Sequence, residues 1–409
     1  MTRRGEGFAA AVGLIALAAF GIRLLYILVI APEPVGIGGD AGFYHSAANL
    51  IAESRFYYRS IFGHAYRTAE HPPLYPLVLS LSSLVGGDSL LAHRVVSCAL
   101  GSVAVALVGV LGRRLGGRRT GIAAALIAAA YPPFVTADGL VMSEPLFTLL
   151  ITTTLLAAIA LRARPSVGRA ALLGVMIGLA TLTRGEALLL LPLLAWPTAF
   201  AMASGRLRRL LAATATAVLV ISPFVIRNAI VFHRVILATD ANTLIAGANC
   251  HDTYYGRDIG WWSLDCLARE RSLGQLDAGD ASTTAAVSYA GHHLTRLPLV
   301  AAVRVLRSFD LFQPLRQGNR ELRRRWVDVV GLVFFYPLLL LAALGVARTT
   351  DARAILLAPV AMVVVVSALG WGIGRFRIPA DVSIIVLAAG VITPARARPS
   401  RLRVRARAA

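Results

Sequence analysis

Residues 8–30 read FAAAVGLIALAAFGIRLLYILVI, an apolar run interrupted by a single charge. A helix needs about 20 such residues to cross a hydrocarbon core of roughly 30 Å. Only helices and closed barrels satisfy their backbone in lipid. A barrel strand would alternate apolar and polar residues, and this run does not, so it reads as a spanning helix. It follows Thr2-Arg3-Arg4, as a signal peptide would, but it is too long for a signal core and lacks a small-residue cleavage site. It is therefore expected to be a retained first span. Similar blocks recur near 90–112, 120–137, 141–161, 168–183, 186–203, 210–232, 328–346, 354–371 and 378–394. A shorter block, 73–86, reads as interfacial. The expected class is an all-α polytopic membrane protein.

Composition agrees. Of 409 residues 57% are hydrophobic and 15% charged, against about a quarter charged in a soluble protein. The net charge is +20, and all 41 basic residues are Arg. A soluble chain this basic would suggest nucleic acid. Here the arginines sit between apolar blocks, with no basic stripe interleaved with stacking aromatics, so a nucleic-acid partner is excluded in favour of membrane lipids. Arg clusters occur at the N-terminus, at 113–119, 162–169, 206–209 and 347–353, and in the tail. With ten spans they all fall on one side, which the positive-inside rule makes cytoplasmic. Arg323-Arg324-Arg325 is the exception, at the end of a long loop.

Four parts follow. Residues 1–232 form an N-terminal transmembrane module whose first extracytoplasmic loop is about 31–89. Residues 233–327 form an extracytoplasmic loop. Residues 328–394 are C-terminal transmembrane helices, and 395–409 a basic cytoplasmic tail. Within the long loop, Leu297–Phe312 reads as an amphipathic interfacial helix with Arg296, Arg304 and Arg307 facing head groups. Cys250 and Cys266 lie in a compartment that permits disulfides. A bridge between them would stabilise the loop by roughly 3 kcal/mol; two unrelated thiols are the alternative. Cys98 reads as a small core residue.

Ionisable residues gather on the outside face. Asp40 follows the first span and opens a short helix carrying Tyr44; it reads as a helix cap, or as a general base or metal ligand at the membrane surface. Glu70-His71-Pro72-Pro73 projects an acid and an imidazole from a turn that two prolines fix, or simply joins a loop to a helix. Asp138 and Glu144 flank a short outside turn, where one acid suits a helix start and a pair suits it less. Arg184 and Glu186 join two apolar helices and either pair with each other or meet a substrate. Arg375 and Arg377 stand beside lipid on the side where arginine is disfavoured, and phosphate is the natural partner of a guanidinium. Carboxylates can deprotonate a hydroxyl, and Arg and His can stabilise a departing phosphate.

An Asp after the first helix, Glu70-His71-Pro72-Pro73-Leu74-Tyr75-Pro76, an acidic outside turn and the closing Arg375-Phe376-Arg377-Ile378-Pro379 together resemble the GT-C glycosyltransferases. These include the protein O-mannosyltransferases and the lipid A aminoarabinose transferase. Ser222-Pro223-Phe224-Val225-Ile226-Arg227-Asn228 and Gly247-Ala248-Asn249 are similar to stretches in bacterial members. The resemblance implies a GT-C-like helix bundle with interfacial helices in the first extracytoplasmic loop. It implies inverting transfer of a sugar from a polyprenyl-phosphate donor to an extracytoplasmic lipid, glycan or protein hydroxyl at a bacterial plasma membrane. Asp40, Glu70 and Asp138 would be catalytic. His71, Tyr44, Glu144, Arg184, Glu186, Arg375 and Arg377 would bind substrate. Some relatives use a divalent metal, but no ligand spacing here demands one. The alternative class, a transporter or lipid flippase, would place its charges near the bilayer midplane with inverted repeats.

Overall fold

The computed structural model describes residues 3–33, 39–61, 64–202, 204–270, 275–316, 325–349 and 352–393. The expected tail and most of the Arg323–Arg325 cluster lie outside the described residues. Every one of the ten expected blocks is helical over most of its length. Among the described residues, five helices are long and apolar enough to cross a membrane: Glu6–Ile30, Leu90–Gly116, Glu144–Ala163, Arg206–Phe232 and Arg325–Arg348. Arg118–Ala130 and Pro132–Asp138 pass the same test only together and are bent by 57°, as a broken span or a re-entrant loop; Pro132 and Pro133 remove two backbone donors at the bend. The chain is a multi-pass membrane protein.

The remaining four blocks are shorter than the sequence suggested: Val167–Thr181, Gly185–Phe200, Arg353–Leu369 and Ile378–Ile392. They form two pairs. The first is joined by the turn at 182–184, the second by 370–377. Both turns carry arginines, and the helices stop early because their ends fold into those turns. The last helix escapes the need to face lipid, since Ile378 to Ala389 are buried without a break.

Small residues let the bundle close. Gly174 and Gly178 lie against Ala213 and Ala217; a Cβ on Gly174 would stand 2.0 Å from the Ala213 carbonyl oxygen. Four-residue spacing of small side chains on both helices permits this approach. Deeper in, Arg23 donates from Nε to Asp138 at 2.6 Å, both side chains being buried. Gly101 makes room for that carboxylate, because a Cβ there would lie 1.9 Å from Asp138 Oδ2.

The first loop holds two short helices, α2 (Asp40–Ala52) and α3 (Leu74–Ser83), and a β-hairpin, Tyr58–Ile61 paired antiparallel with His64–Arg67. At 10 residues α3 is roughly 15 Å long, half a bilayer, which suits the interfacial reading of 73–86. A proton-ordered chain holds α2 to the bundle. His45 Nδ1 meets His93 Nδ1 at 3.1 Å, His93 Nε2 meets Ser83 Oγ at 3.0 Å, and Ser83 donates to Asn49 Oδ1 at 2.7 Å. Because the Ser83 hydrogen goes to Asn49, His93 must carry its proton on Nε2 and accept from His45 at Nδ1.

The long loop packs as Asp240–Ala248, Gln275–His292 and Leu297–Ser308. Cys250 and Cys266 are joined by a disulfide. One expectation is overturned here. Arg304 and Arg307 do not face head groups; they are 1% and 2% exposed. Arg304 donates to the Ala248 and Ala368 carbonyls and to Asn249 Oδ1, and Arg307 donates to the Ile259 carbonyl. A helix pattern with arginines on its polar face cannot distinguish lipid phosphates from loop carbonyls, and the loop folds over this face.

Candidate active site

Two cavities open beneath the long loop, of about 980 Å³ and 450 Å³. Asp40, Met142, Trp262, Trp371 and Arg375 line both, so these five side chains form the partition between them. Asp40 begins α2. Its Oδ2 accepts from Arg375 Nη2 at 3.2 Å, and its Oδ1 faces His71 Nε2 at 3.7 Å. His71 is positioned from behind by Tyr57, whose hydroxyl donates to the His71 carbonyl at 2.7 Å. The Leu74 amide donates to the Leu182 carbonyl, tying the proline turn to the 182–184 turn.

The imidazole is charged. His71 Nδ1 meets Asp240 Oδ2 at 3.1 Å. Burial opposes a cationic ring, but the bond to Asp240 and the nearby Asp40 carboxylate outweigh it and raise the His71 pKa to about 10. Burial likewise pushes the Asp40 carboxyl up, and His71 and Arg375 together outweigh that and hold it well below the usual carboxylate range. The three groups form a fixed arrangement of an anion between two cations.

The smaller cavity also holds Tyr44, Glu70, Arg184 and Glu186. Tyr44 is buried, with its ring 5.1 Å from that of His71. Glu70 pairs with Arg59. Arg184 bridges Glu186 at 2.6 Å and Glu144 at 3.1 Å and lies over the Phe376 ring. With His71 protonated, four acids (Asp40, Glu70, Glu186, Asp240) face four bases (Arg59, His71, Arg184, Arg375). The larger cavity is different: Asp40, Glu144, Asp265, Asp310 and Asp328 face only Arg375 and Arg377, amid apolar side chains.

The ten residues singled out from sequence therefore separate. Asp40, Tyr44, Glu70, His71, Glu144, Arg184, Glu186, Arg375 and Arg377 line one or both cavities. Asp138 lines neither; it is the buried partner of Arg23. The closing arginines also differ. Arg375 stands at the partition, whereas Arg377 is 2% exposed and donates to Asp381 and Asp310, both at 2.8 Å, with the Phe335 ring beneath it. Several residues of the site went unread, among them Arg59, Asp240, Trp262 and Trp371. Asp240 looks like any acid in a helix's first turn. Only the backbone bonds from Thr239 and Asp240 to the Ala69 and Glu70 carbonyls bring it to His71.

Beside Asp40 a divalent cation does not fit. The space beside Asp40 already receives two positive charges. Among the described residues no group of three or more His, Cys, Asp or Glu side chains converges to hold a metal ion.

Residues 70–227 match the family model described as dolichyl-phosphate-mannose-protein mannosyltransferase. No curated protein sequence matches. Among solved structures the chain is similar to the archaeal oligosaccharyltransferase AglB from Archaeoglobus fulgidus in complex with an inhibitory peptide and a dolichol-phosphate. The identity is 17% and the TM-score 0.56, over 95% of this chain and 50% of that one. The apo form of the Archaeoglobus fulgidus oligosaccharyltransferase gives 16% and 0.55, over 93% and 50%. ArnT from Cupriavidus metallidurans bound to undecaprenyl phosphate gives 16% and 0.47, over 96% and 78%. The likeness to the oligosaccharyltransferase shows the fold, a transmembrane helix bundle like that of the oligosaccharyltransferase. This chain spans about half the length of those oligosaccharyltransferase chains.

Proposed function

We propose that this GT-C bundle is a glycosyltransferase that moves a sugar, with inversion, from a polyprenyl-phosphate donor to an acceptor hydroxyl. The reading places the reaction on the extracytoplasmic face of a bacterial plasma membrane, in assembly of an envelope glycan or glycoconjugate. The observation that carries it is the contact between Asp40 and Arg375 where the two cavities meet. Displacement at an anomeric carbon by a hydroxyl needs a proton-accepting group on one side and a phosphate-stabilising group on the other. The partition supplies one of each.

The acceptor O–H gives its proton to Asp40 as its oxygen bonds to the anomeric carbon. The bond from that carbon to the phosphate oxygen breaks, and its electron pair leaves on the lipid phosphate, which Arg375 holds. Before donor binding, Asp40 is a weak base, because two cations stabilise its charge. A phosphate that draws Arg375 away removes one of them and strengthens the base when it is needed. The charged His71 keeps the carboxylate oriented. Glu70, bound to Arg59, and Arg184, bound to Glu144 and Glu186, fix the polar wall of the smaller cavity.

The test uses purified protein with polyprenyl phosphates carrying mannose, arabinose or glucose, and envelope lipid extract as acceptor. Transfer of one of these sugars, lost in Asp40→Asn with donor binding retained, supports the reading. No binding of any donor by the wild type sinks it.

A further inference from the structure

The partition holds two indoles for which the reaction scheme above has no use. Trp262 and Trp371 line both cavities beside Asp40 and Arg375. Their ring centroids are 6.3 Å apart at an interplanar angle of 38°, and Trp371 also packs edge-on to Trp261 at 5.6 Å and Phe376 at 5.0 Å. This aromatic wall is built with some care. Trp262 donates from Nε1 to the Thr243 carbonyl at 3.0 Å. It lies flat on the helix Asp240–Ala248 because Gly247 has no side chain; a Cβ there would stand 2.0 Å from Trp262 Nε1. The disulfide between Cys250 and Cys266 closes the loop that carries Trp261 and Trp262. Trp371 is 8% exposed, and among the described residues its indole N–H has no acceptor.

We propose that Trp262 and Trp371 form the seat for the transferred sugar ring, with the Trp371 N–H donating to one of its hydroxyls. The inference rests on the glycosyltransfer reading. In an inverting displacement the sugar must lie between the leaving phosphate and the attacking hydroxyl. If the two substrates enter by the two cavities, that place is the partition. An indole face presents a flat, polarisable apolar surface with a negative quadrupole, suited to the C–H bonds on one face of a pyranose or furanose. Asp40 and Arg375 serve the atoms being exchanged; the indoles serve the ring that moves. Gly247 is a positioning residue for this seat, acting through Trp262.

Binding of two probes separates the seat from the rest of the site: a sugar-free polyprenyl phosphate, and the best-bound of its mannosyl, arabinosyl and glucosyl forms. Trp371→Leu is expected to weaken the sugar-bearing probe by about tenfold and the sugar-free probe by less than about twofold. Trp371→Phe keeps a ring and loses the donor, so a smaller loss of the same kind is expected. Gly247→Ala should reproduce the loss with Trp371 intact. Equal weakening of both probes, or no weakening of either, overturns the seat while leaving the enzyme reading in place. Failure of the wild type to bind either probe overturns both.

Discussion

Asp40 and Arg375 are 335 residues apart in the chain and 3.2 Å apart in space, with Asp40 Oδ2 accepting from Arg375 Nη2. The loop that follows the first span and the turn that precedes the last helix are thus brought to one point. Arg375→Gln should lower transfer by about a hundredfold to a thousandfold, the range for loss of a charged donor to a developing anion. Arg375→Lys should recover part of it. Asp40→Asn should lower the rate by about the same factor with donor binding unchanged. Steady-state kinetics with the best donor read both, and an Asp40→Asn enzyme of normal rate would remove the assigned base.

The charge on His71 sets a pH signature. Its pKa is raised from 6.5 to about 10, first against burial and then by Asp240 and Asp40. A group raised on folding contributes stability that is fully present below its unfolded value and fades as pH rises through the folded one. Thermal unfolding in detergent should therefore show this contribution intact below about pH 6.5 and lost towards about pH 10. The pH–rate profile should lack a histidine inflection near neutrality. Asp240→Asn removes the largest stabilising contact, so the fall in stability should move to lower pH.

The pairing of Arg23 with Asp138 predicts a structural phenotype. Asp138→Leu leaves a buried guanidinium without its partner and should destabilise the bundle by about 3–5 kcal/mol. The double change Arg23→Met, Asp138→Leu should restore most of that, and transfer activity should follow the folded fraction. Loss of turnover in a fully folded double variant would return Asp138 to the catalytic set. Gly101→Ala should act like the single change, since its Cβ would lie 1.9 Å from the Asp138 carboxylate.

Replacing Cys250 and Cys266 by serine should lower thermal stability by roughly 3 kcal/mol. It should also weaken binding of sugar-bearing donors more than of sugar-free polyprenyl phosphate, because the opened loop carries Trp261 and Trp262. An unchanged preference between the two probes would separate the disulfide from the aromatic wall.

Much of the bundle was legible because lipid imposes one rule on the chain: a block of apolar residues must become a helix. Helix ends were less legible, and the four short helices show why. Val167–Thr181 and Arg353–Leu369 end where the turns bearing Arg184 and Arg375 begin, and hydropathy does not report a turn recruited into a site. Asp40, Glu144, Arg184, Glu186, Arg375 and Arg377 stood out because charge beside lipid demands a reason. By the same argument Arg23, inside the first span, had the clearest signal of a buried partner, yet nothing local named Asp138. Asp240 and Trp371 reach the site only through long-range packing, which leaves no mark in spacing. Arg377 was readable as important but not as occupied, because Asp310 and Asp381 are brought to it by the fold.

The same Arg23 has a consequence for synthesis. Its acceptor, Asp138, is made 115 residues later. At about 5–20 residues per second that is a delay of roughly 6–23 s. During that interval the first helix holds an uncompensated guanidinium at the membrane. An early escort, whether lipid phosphate or the insertion machinery, would have to shelter it until the bent pair Arg118–Asp138 arrives. The order of translation, and not only the finished packing, then decides whether this bundle assembles.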